Sequence, residues 1–375
     1  MKVCLLTFAL VACAALCIAQ EHPEAQKRLV LIDQDGSGPG GSDQMAMLAL
    51  LQSPDVQVLG ITIVTGDAWR DEETLHTLRM LELTGHTNVP VAKGAVFPLI
   101  RTQEETRLES SLYGKTTWMG AWGRISPSPN DNATGVTPSG PARFDTHGPY
   151  DIPPMPEGLP AIKPLDEDAA HFLIRQVRAH PHQVTIYAAG PLTNIALAVS
   201  IDPEFAGLTK GIVIMGSSLN PQTADPEFAT SPRHEFNFWF DPEAAHIVLH
   251  TDWPRIDVTT TDISLKTPFT QQMVDAIAKS QAPAARYIAA WSRPQSYMWD
   301  ELEACAWLDP AIITKEDLLY MDVDLSHGPS YGDTLTWAEK LKPQTGVRLV
   351  HAQMDLDLAR FQKDFVDLMT RGPAQ

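Results

Sequence analysis

A short apolar segment near the N-terminus reads Leu29-Val30-Leu31-Ile32-Asp33-Gln34-Asp35, and a loop rich in Gly, Pro and Ser then leads to Asp43. An apolar run bounded by turn residues is typical of a buried parallel strand. Asp33 and Asp35 are therefore expected where the carboxyl end of that strand opens onto a crevice, the place where α/β enzymes bind ligands. Carboxylates gathered at one point raise each other's pKa unless a hard cation such as Ca²⁺ or Mg²⁺ neutralises them. The segment predicts a metal site.

The same pattern, an apolar β-rich run followed by a helical period, recurs along the chain. Further strands are predicted at residues 56–64, 184–188 and 211–215, and helices at residues 43–51, 72–83, 192–199 and 242–249. Strands that alternate with helices build βαβ units with right-handed crossovers. We therefore expect a single α/β domain over residues 20–375, with a mostly parallel central sheet flanked by helices. Ser42 is the predicted N-cap of the first helix.

Composition and charge limit the classes of partner. The chain has 375 residues, of which 44% are hydrophobic and 20% charged, so it has enough apolar material for a large core and is not a disordered protein. Its formal net charge is -18. A nucleic-acid backbone or an anionic membrane surface rewards Lys and Arg clusters, which argues against either as the main partner. A small neutral or cationic ligand fits better.

Residues 1–19 have the pattern of a secretory signal peptide: Lys2, an apolar stretch over residues 3–15, and a small-x-small cleavage site that ends at Ala19. We expect a secreted or periplasmic protein. Cys13 ends a segment that resembles a bacterial lipobox, so a lipid anchor at Cys13 is the alternative. Three of the four cysteines lie in this leader, and its removal leaves only Cys305 and no intramolecular disulfide.

Residues 100–160 interrupt the alternation of strands and helices. They are rich in Pro, Gly, Ser, Thr and Asn and include an aromatic cluster at Tyr113, Trp118 and Trp122. A long irregular insertion in a compact domain is usually a functional loop. It is interpreted as a lid or wall over the crevice, with a surface excursion that has no role in binding as the alternative.

Several motifs, in this order and spacing, resemble the inosine-uridine preferring nucleoside hydrolase family. The segment from Asp33 to Asp43 is a divergent form of the Asp-x-Asp-x-x-x-Asp-Asp signature of that family, with seven residues rather than four between Asp35 and Asp43. The other matching segments are spread over most of the chain: Gly60-Ile61-Thr62-Ile63-Val64-Thr65-Gly66-Asp67, Leu81-Glu82-Leu83-Thr84-Gly85, Val89-Pro90-Val91-Ala92-Lys93-Gly94-Ala95, His147-Gly148, Gly190-Pro191-Leu192-Thr193-Asn194-Ile195-Ala196-Leu197-Ala198, Ile212-Val213-Ile214-Met215-Gly216, Glu235-Phe236-Asn237 and Asp241-Pro242-Glu243-Ala244-Ala245.

The resemblance implies a Rossmann-like nucleoside hydrolase fold and Ca²⁺-dependent hydrolysis of the N-glycosidic bond of ribonucleosides to free base and ribose. It makes Asp35 a calcium ligand that is also the general base toward the attacking water. Asp43, Asp300 and the backbone carbonyl of Ala189 match the other calcium ligands, and Asp33 matches a carboxylate that orients the site from behind the ligands. The resemblance also implies a nucleoside as the ligand, a role in purine salvage, and a homodimer or homotetramer.

Five further positions are expected to contact the substrate. Glu235 and Asn237 match residues that hydrogen-bond the ribose hydroxyls. Ser42 stands where the family has a second acid that contacts ribose, and Asp67 replaces the usual Asn. Trp299 stands where many members carry a His that protonates the leaving base. A Trp at this position suits stacking on a base and favours purine nucleosides, or else it packs in the core beside Asp300.

The chemistry suits these residue types. Cleavage of a ribosyl bond builds positive charge on the sugar, so carboxylates both stabilise an oxocarbenium-like transition state and deprotonate water. A cation would position the water and lower its pKa.

Two alternatives remain open from the sequence. Asp33-Gln34-Asp35-Gly36-Ser37 also looks like the first motif of haloacid-dehalogenase-type phosphatases, although the Gly66-Asp67 segment comes too early to be their last motif. A catalytically weak or inactive protein that binds a sugar or nucleoside on the same scaffold is the other alternative, because the acidic signature is altered.

The histidines, including His76, His171 and His234, are expected to cap or pack rather than to bind metal.

Overall fold

The computed structural model describes residues 27–114, 118–125, 142–144, 147–344 and 346–372. The predicted leader over residues 1–19, with Cys13, lies outside the described residues, and so does part of the insertion. Within the described ranges, no helix is both long enough and apolar enough to cross a membrane. Cys305 is buried as a free thiol.

Eleven strands are present in the described residues. In chain order they are β1 (Arg28–Gln34), β2 (Val56–Ile63), β3 (Val91–Lys93), β4 (Gly123–Ile125), β5 (Ala142–Phe144), β6 (Val184–Ala189), β7 (Gly211–Met215), β8 (Ile256–Thr259), β9 (Ile313–Val323), β10 (Thr334–Trp337) and β11 (Arg348–Leu356). Nine of them form one sheet in the order β10, β9, β11, β8, β7, β6, β1, β2, β3, and β4 pairs only with β5. The pairs from β11 to β3 are parallel, and β9 runs antiparallel to β10 and β11.

Thirteen α-helices connect or flank the strands in the same part of the chain. They are α1 (Ser42–Leu51), α2 (Arg70–Thr84), α3 (Gln103–Tyr113), α4 (Ala169–Ala179), α5 (Thr193–Ile201), α6 (Pro226–Thr230), α7 (Phe236–Phe240), α8 (Pro242–His250), α9 (Thr261–Ser264), α10 (Gln271–Ile277), α11 (Pro283–Trp291), α12 (Trp299–Leu308) and α13 (Leu358–Thr370).

The predicted α/β fold with a mostly parallel, helix-flanked sheet is confirmed. The strand predicted at residues 211–215 has these bounds, and the other predicted strands and helices differ by one or two residues at one or both ends.

The prediction that Ser42 caps α1 is wrong. Gly41 is the N-cap and has no side chain that could cap the helix, whereas Ser42 is the first helical residue and its hydroxyl is used elsewhere. The described part of the insertion contains the eleven-residue helix α3.

Two apolar cores cover the two faces of the sheet. Val30 and Ile32 of β1 pack in the core built by α1, α2 and α10 to α13, whereas Leu31 packs in the opposite core with α4, α5 and α8. A central strand that is covered on both faces needs apolar side chains at successive positions. This explains the continuous apolar run at the start of the chain.

The chain order reverses between β1 and β6. β1 is followed outward by β2 and β3 on one side, and β6, β7 and β8 extend the sheet on the other. The connections after β1 and after β6 therefore run to opposite sides of the sheet. This arrangement opens a crevice between them at the carboxyl ends of β1 and β6. Asp35 directly follows β1 and Ala189 ends β6, so the fold places both at this crevice.

Candidate active site

A cavity of about 300 Å³ lies at the crevice. Nine of the ten residues predicted for the site line it: Asp35, Ser42, Asp43, Asp67, Ala189, Glu235, Asn237, Trp299 and Asp300. These residues come from stretches as far apart as the N-terminal strand and α12. The fold therefore brings the separate motifs together in one cavity.

Asp35 is held between two close backbone segments. Its Oδ2 accepts a hydrogen bond from the backbone N–H of Asp67 at 3.0 Å. A methyl group in place of the Gly66 hydrogen would lie 2.1 Å from that same oxygen, and one on Gly190 would lie 2.9 Å from Oδ1. Both glycines therefore leave space that the Asp35 carboxylate occupies, which gives a local reason for glycine in these two motifs.

Asp43 and Asp300 complete the acidic cluster with Asp35. Asp43 lies in the first turn of α1, where the helix dipole favours negative charge. The Nε2 of Gln34 donates to Oδ2 of Asp300 at 2.8 Å, and the Oε1 of Gln34 accepts from the backbone N–H of Asp35 at 3.0 Å. This buried amide therefore links the carboxylate of Asp300 to the backbone of Asp35.

The cluster carries uncompensated negative charge. Burial first, and then the neighbouring carboxylates, raise the pKa of Asp35, Asp43 and Asp300 well above the usual range. No Lys or Arg is among the described residues that line the cavity. Such a group of buried carboxylates is stable as anions only beside a cation.

The donor set fits a hard divalent cation. Its donors are carboxylate oxygens and a backbone carbonyl, and Oδ2 of Asp43 is buried without a hydrogen-bond partner. The three carboxylates are not among the groups of described side chains whose potential ligand atoms all lie within 4.8 Å of one another. We conclude that Asp35, Asp43, Asp300 and the carbonyl of Ala189 could hold such an ion.

Asp33 does not line the cavity. It is fully buried behind it, and its Oδ1 accepts hydrogen bonds from Thr62 Oγ1 and from Asn194 Nδ2, the latter at 2.7 Å. Burial raises the pKa of Asp33 to about 7 in spite of these two hydrogen bonds. Asp33 therefore joins β1, β2 and the start of α5 beneath the site, a place that suits an orienting role rather than direct contact.

Ser42 uses its hydroxyl within the protein. Its Oγ donates to Oε2 of Glu301 at 2.5 Å and lies 3.4 Å from the backbone N–H of Asp300. Glu301 is fully buried, and burial raises its pKa to about 8. The serine at the position of the missing family acid thus faces another acid, which the sequence motifs did not identify.

Glu235 and Asn237 are held rigidly at the end of β7. Glu235 is the N-cap of α7, and its carboxylate accepts from the backbone N–H groups of Asn237, Phe238 and Ser217 at 2.8 to 3.1 Å. Burial raises the pKa of Glu235 to about 7, although these hydrogen bonds oppose the shift. The Nδ2 of Asn237 donates to the carbonyl of Met215 at 3.1 Å. Both side chains are therefore positioned before any ligand arrives.

Aromatic side chains form one wall of the cavity. The ring of Trp299 lies 5.8 Å from that of Phe228 and 5.0 Å from that of Tyr297, as measured between ring centroids. The Nε1 of Trp118, from the insertion, donates to Oδ1 of Asp67 at 2.5 Å. Trp299 is half-buried against the core and also faces the cavity. The surroundings of Trp299 are therefore compatible with both interpretations, stacking on a base in the cavity and packing against the core.

Several lining residues were not identified from the sequence. Phe228 and Asp225 lie near a short helix that has no matching motif, and Tyr297 holds Asp225 through a 2.8 Å hydrogen bond from its hydroxyl. His234 also lines the cavity, and burial and then Arg101 lower its pKa to about 4, so it is neutral near pH 7. Of these residues, only Tyr297 had a signal in the sequence: it lies two residues before Trp299 and three before Asp300.

The sequence matches known proteins over most of its length. A family model described as inosine-uridine preferring nucleoside hydrolase matches residues 30–363. A relative from Oryza sativa subsp. japonica, described as probable uridine nucleosidase 1, is 30% identical over 262 residues, which span 69% of this chain and 66% of the relative. The inosine-uridine preferring nucleoside hydrolase of Leishmania major is 26% identical over 342 residues, which span 88% of this chain and 94% of that protein.

Solved structures share the fold. A plant nucleoside hydrolase superimposes with a TM-score of 0.68 at 24% identity, over 92% of this chain and 99% of that chain. A purine-preferring ribonucleoside hydrolase from Gardnerella vaginalis superimposes with a TM-score of 0.67 at 19% identity, over 92% and 98% of the two chains.

The matches, together with the fold, place this protein among the hydrolases of N-glycosyl bonds. The chain belongs to the inosine-uridine preferring nucleoside hydrolase family. The family assignment favours the nucleoside hydrolase interpretation of Asp33 and Asp35 over the phosphatase one.

Proposed function

We propose that the protein is a Ca²⁺-dependent nucleoside N-ribohydrolase that prefers purine nucleosides. The observation that carries this proposal is the convergence of Asp35, Asp43 and Asp300 in one cavity with Glu235 and Asn237. The acidic cluster offers carboxylate and carbonyl oxygens to a cation, and the polar side chains of Glu235 and Asn237 line the same cavity. Calcium is the hard cation that accommodates many carboxylate and carbonyl oxygens with flexible geometry.

The residues of the chain divide the chemistry between them. Asp35 accepts the proton of the attacking water, and Asp67 donates its backbone N–H to one Asp35 oxygen and so holds the carboxylate in place. Glu235 and Asn237 bind the ribose hydroxyls, and a buried sugar needs such paired donors and acceptors. The negative charge of the cluster stabilises the positive charge that develops on the ribosyl ring. When bound, calcium would orient the water and the sugar hydroxyls and make the water more acidic.

The aromatic wall supports the purine preference. Trp299 offers a broad face next to Phe228 and Tyr297, and a fused two-ring base covers more of such a face than a pyrimidine does. The neutral His234 is a poor acid near pH 7, since its pKa is lowered to about 4. Trp299 itself has no acidic proton to give. We therefore expect that stacking on Trp299, rather than proton donation by His234 or by residue 299, helps the base to leave.

A nucleoside panel tests this proposal. Inosine, guanosine, adenosine, uridine and cytidine are incubated with the purified protein, with Ca²⁺ or with a chelator, and free base and reducing sugar are measured. The proposal expects release of both products with Ca²⁺, faster release from purine nucleosides, and no release with chelator. Binding of nucleosides without turnover in the Ca²⁺-loaded protein would favour the non-catalytic binder instead.

We also propose that the protein is exported and processed after Ala19, on the basis of the composition of residues 1–19. Mass spectrometry of the protein purified from its own host measures the mature N-terminus. A chain that begins at Gln20 supports export, a lipid-modified Cys13 supports the anchor, and an intact leader would contradict both.

Light scattering of the same sample tests the dimer or tetramer that family membership suggests.

A further inference from the structure

A second group of potential metal ligands lies away from the active-site cavity. His246 and His250 are one turn apart on α8, and Asp322 lies on the neighbouring strand β9. One ligand atom from each of these side chains can be chosen so that all three lie within 4.8 Å of one another. The expectation that the histidines only cap or pack overlooked this pair, whose spacing of four residues puts both rings on one helix face.

The two imidazoles already converge on one carboxylate. His246 Nδ1 lies 2.8 Å from Oδ1 of Asp322, and His250 Nε2 lies 2.8 Å from Oδ2 of the same residue. The two ring centroids are 4.0 Å apart. The cluster is reachable from solvent, because the side chains of His246, His250 and Asp322 are 35%, 19% and 13% exposed. An ion could therefore enter without opening the core.

We propose that His246, His250 and Asp322 form a binding site for a divalent transition-metal ion of the Zn²⁺ type. Two imidazole nitrogens and one carboxylate oxygen are a ligand set that zinc accepts, with solvent completing its four-coordinate shell. Ligands at about 2.0–2.2 Å from a tetrahedral ion lie roughly 3.3 Å apart, and the two 2.8 Å contacts between ring nitrogens and Asp322 oxygens are close to that spacing. A carboxylate only accepts hydrogen bonds, so each facing ring nitrogen carries a proton in the metal-free protein. On zinc binding this proton would pass to solvent, or to the other ring nitrogen by exchange with solvent, and the freed nitrogen lone pair would bind the metal.

No cation of the protein competes for this carboxylate among the described residues. The ion pairs of Asp322 are those with the two histidines. The nearby Arg348 donates from Nε to the backbone carbonyl of His250 at 3.2 Å and not to the ring or to Asp322. Glu243, one turn before His246, adds negative charge to the same face of α8.

A second group in the same chain shows what a blocked cluster looks like. Asp257, Glu316 and His351 also have ligand atoms within 4.8 Å of one another. Arg255 fills this group: its guanidinium contacts Asp257 at 2.6 Å and Glu316 at 3.6 Å, and its Nη1 lies 3.3 Å from Nε2 of His351. The positive charge of Arg255 would repel a metal ion, so this group is the matched control.

The proposed site would join two parts of the fold. α8 begins directly after Asp241, whose carboxylate accepts hydrogen bonds from Thr193, Leu99 and Ala244, and α7 with Asn237 precedes it. A metal that links α8 to β9 would hold this segment against the sheet. A ligand that binds only the folded state raises its stability.

Zinc titration of the whole protein tests the proposal. The protein is stripped with chelator, loaded with excess Ca²⁺ and titrated with Zn²⁺ by calorimetry, and thermal unfolding is followed with and without Zn²⁺. We expect a single high-affinity Zn²⁺ and a higher unfolding temperature in the wild type. Both effects are expected to be lost in His246→Asn and His250→Asn and retained in His351→Asn. No zinc binding by the wild type, or equal binding by the double variant His246→Asn/His250→Asn, would overturn the proposal.

X-ray absorption of the zinc-loaded wild type gives a test that needs no variant to fold. The spectrum is expected to contain the scattering of two imidazoles together with oxygen. The active-site cavity has one histidine, His234, among the described residues that line it. A shell of oxygens with no imidazole pair would therefore place the zinc elsewhere and contradict the assignment.

Discussion

The hydroxyl of Ser42 donates a 2.5 Å hydrogen bond to Oε2 of Glu301, and the two residues are 259 positions apart in the chain. Ser42 is the residue expected to replace an acid of the family signature, and Glu301 of α12 places a fully buried carboxyl group beside its hydroxyl. Glu301 is not among the described residues that line the cavity. This hydrogen bond also links the first turns of α1 and α12, which carry Asp43 and Asp300.

Substitution Ser42→Ala is expected to destabilise the protein. It leaves the buried Glu301 oxygen without this partner, which costs about 1–3 kcal/mol in free energy of unfolding. Denaturant unfolding measures the change. Ser111→Ala is the control, because that exposed hydroxyl donates only to the carbonyl of Leu108, and its effect is expected within about 0.5 kcal/mol. Equal stability of the two variants would show that the Ser42 bond contributes nothing.

Substitution Asp35→Asn is expected to abolish turnover while the fold is retained. The amide is nearly isosteric and its oxygen can still accept the hydrogen bond from the Asp67 N–H, but it cannot take a proton from water. Loss of a general base lowers the rate about 10²–10⁴-fold. Steady-state hydrolysis with Ca²⁺, combined with circular dichroism, tests this. A variant with a near-normal rate would overturn the assignment of Asp35 as the base.

Substitution Gly66→Ala is expected to displace the catalytic carboxylate. The added methyl group would lie 2.1 Å from Oδ2 of Asp35, so the side chain or the backbone must move. A misplacement of this size at a reacting group lowers the rate on the order of 10²-fold. Gly207→Ala is the matched control, because nothing lies within 4 Å of its added carbon. The interpretation fails if both variants have the same kcat as the wild type.

His76 is expected to make the stability depend on pH. Burial lowers its pKa, but the carboxylates of Glu72, 3.8 Å from the ring, and of Glu157, which is hydrogen-bonded to it, outweigh this and raise the pKa above its ordinary value of 6.5. Stabilisation from a raised pKa is fully present below about pH 6.5 and is lost as the pH rises through the folded-state pKa. His76→Gln should therefore cost the most at pH 6, about 1.5–3 kcal/mol, and less at pH 8 and above.

Denaturant unfolding of the His76→Gln variant at several pH values measures this dependence. His171→Gln is the control, since the His171 side chain is 61% exposed and pairs only at the surface with Asp168. A cost that is the same at every pH would show that the protonated form of His76 is not the stabilising species.

The strands and the acidic motif were predictable because their signals are local. The apolar run that ends at Asp33 and Asp35 has to be a strand covered on both faces, and parallel strands meet at one edge of the sheet. Their carboxyl ends therefore converge whatever the loops do. The reason for glycine at positions 66 and 190 is not local, since each leaves space for the Asp35 side chain, which comes from a distant segment.

The contacts between distant segments could not be read from the sequence. Glu301 meets Ser42, and Asp322 meets His246 and His250, only because α12 packs on α1 and α8 lies next to β9. The four-residue spacing of His246 and His250 is visible in the sequence, but the pairing of either group with its distant partner is not. The N-cap of α1 was predicted wrongly for the same reason, because the Ser42 hydroxyl has a better partner in another helix than in its own.

A crystal structure of the protein grown with Ca²⁺, with the ion identified by its anomalous scattering, tests the proposed metal site directly. We predict one calcium ion in the cavity, bound by oxygens of Asp35, Asp43 and Asp300 and by the carbonyl of Ala189 at about 2.3–2.6 Å. Carboxylates that stay apart around a cavity without calcium, or calcium bound only at other residues, would contradict this prediction.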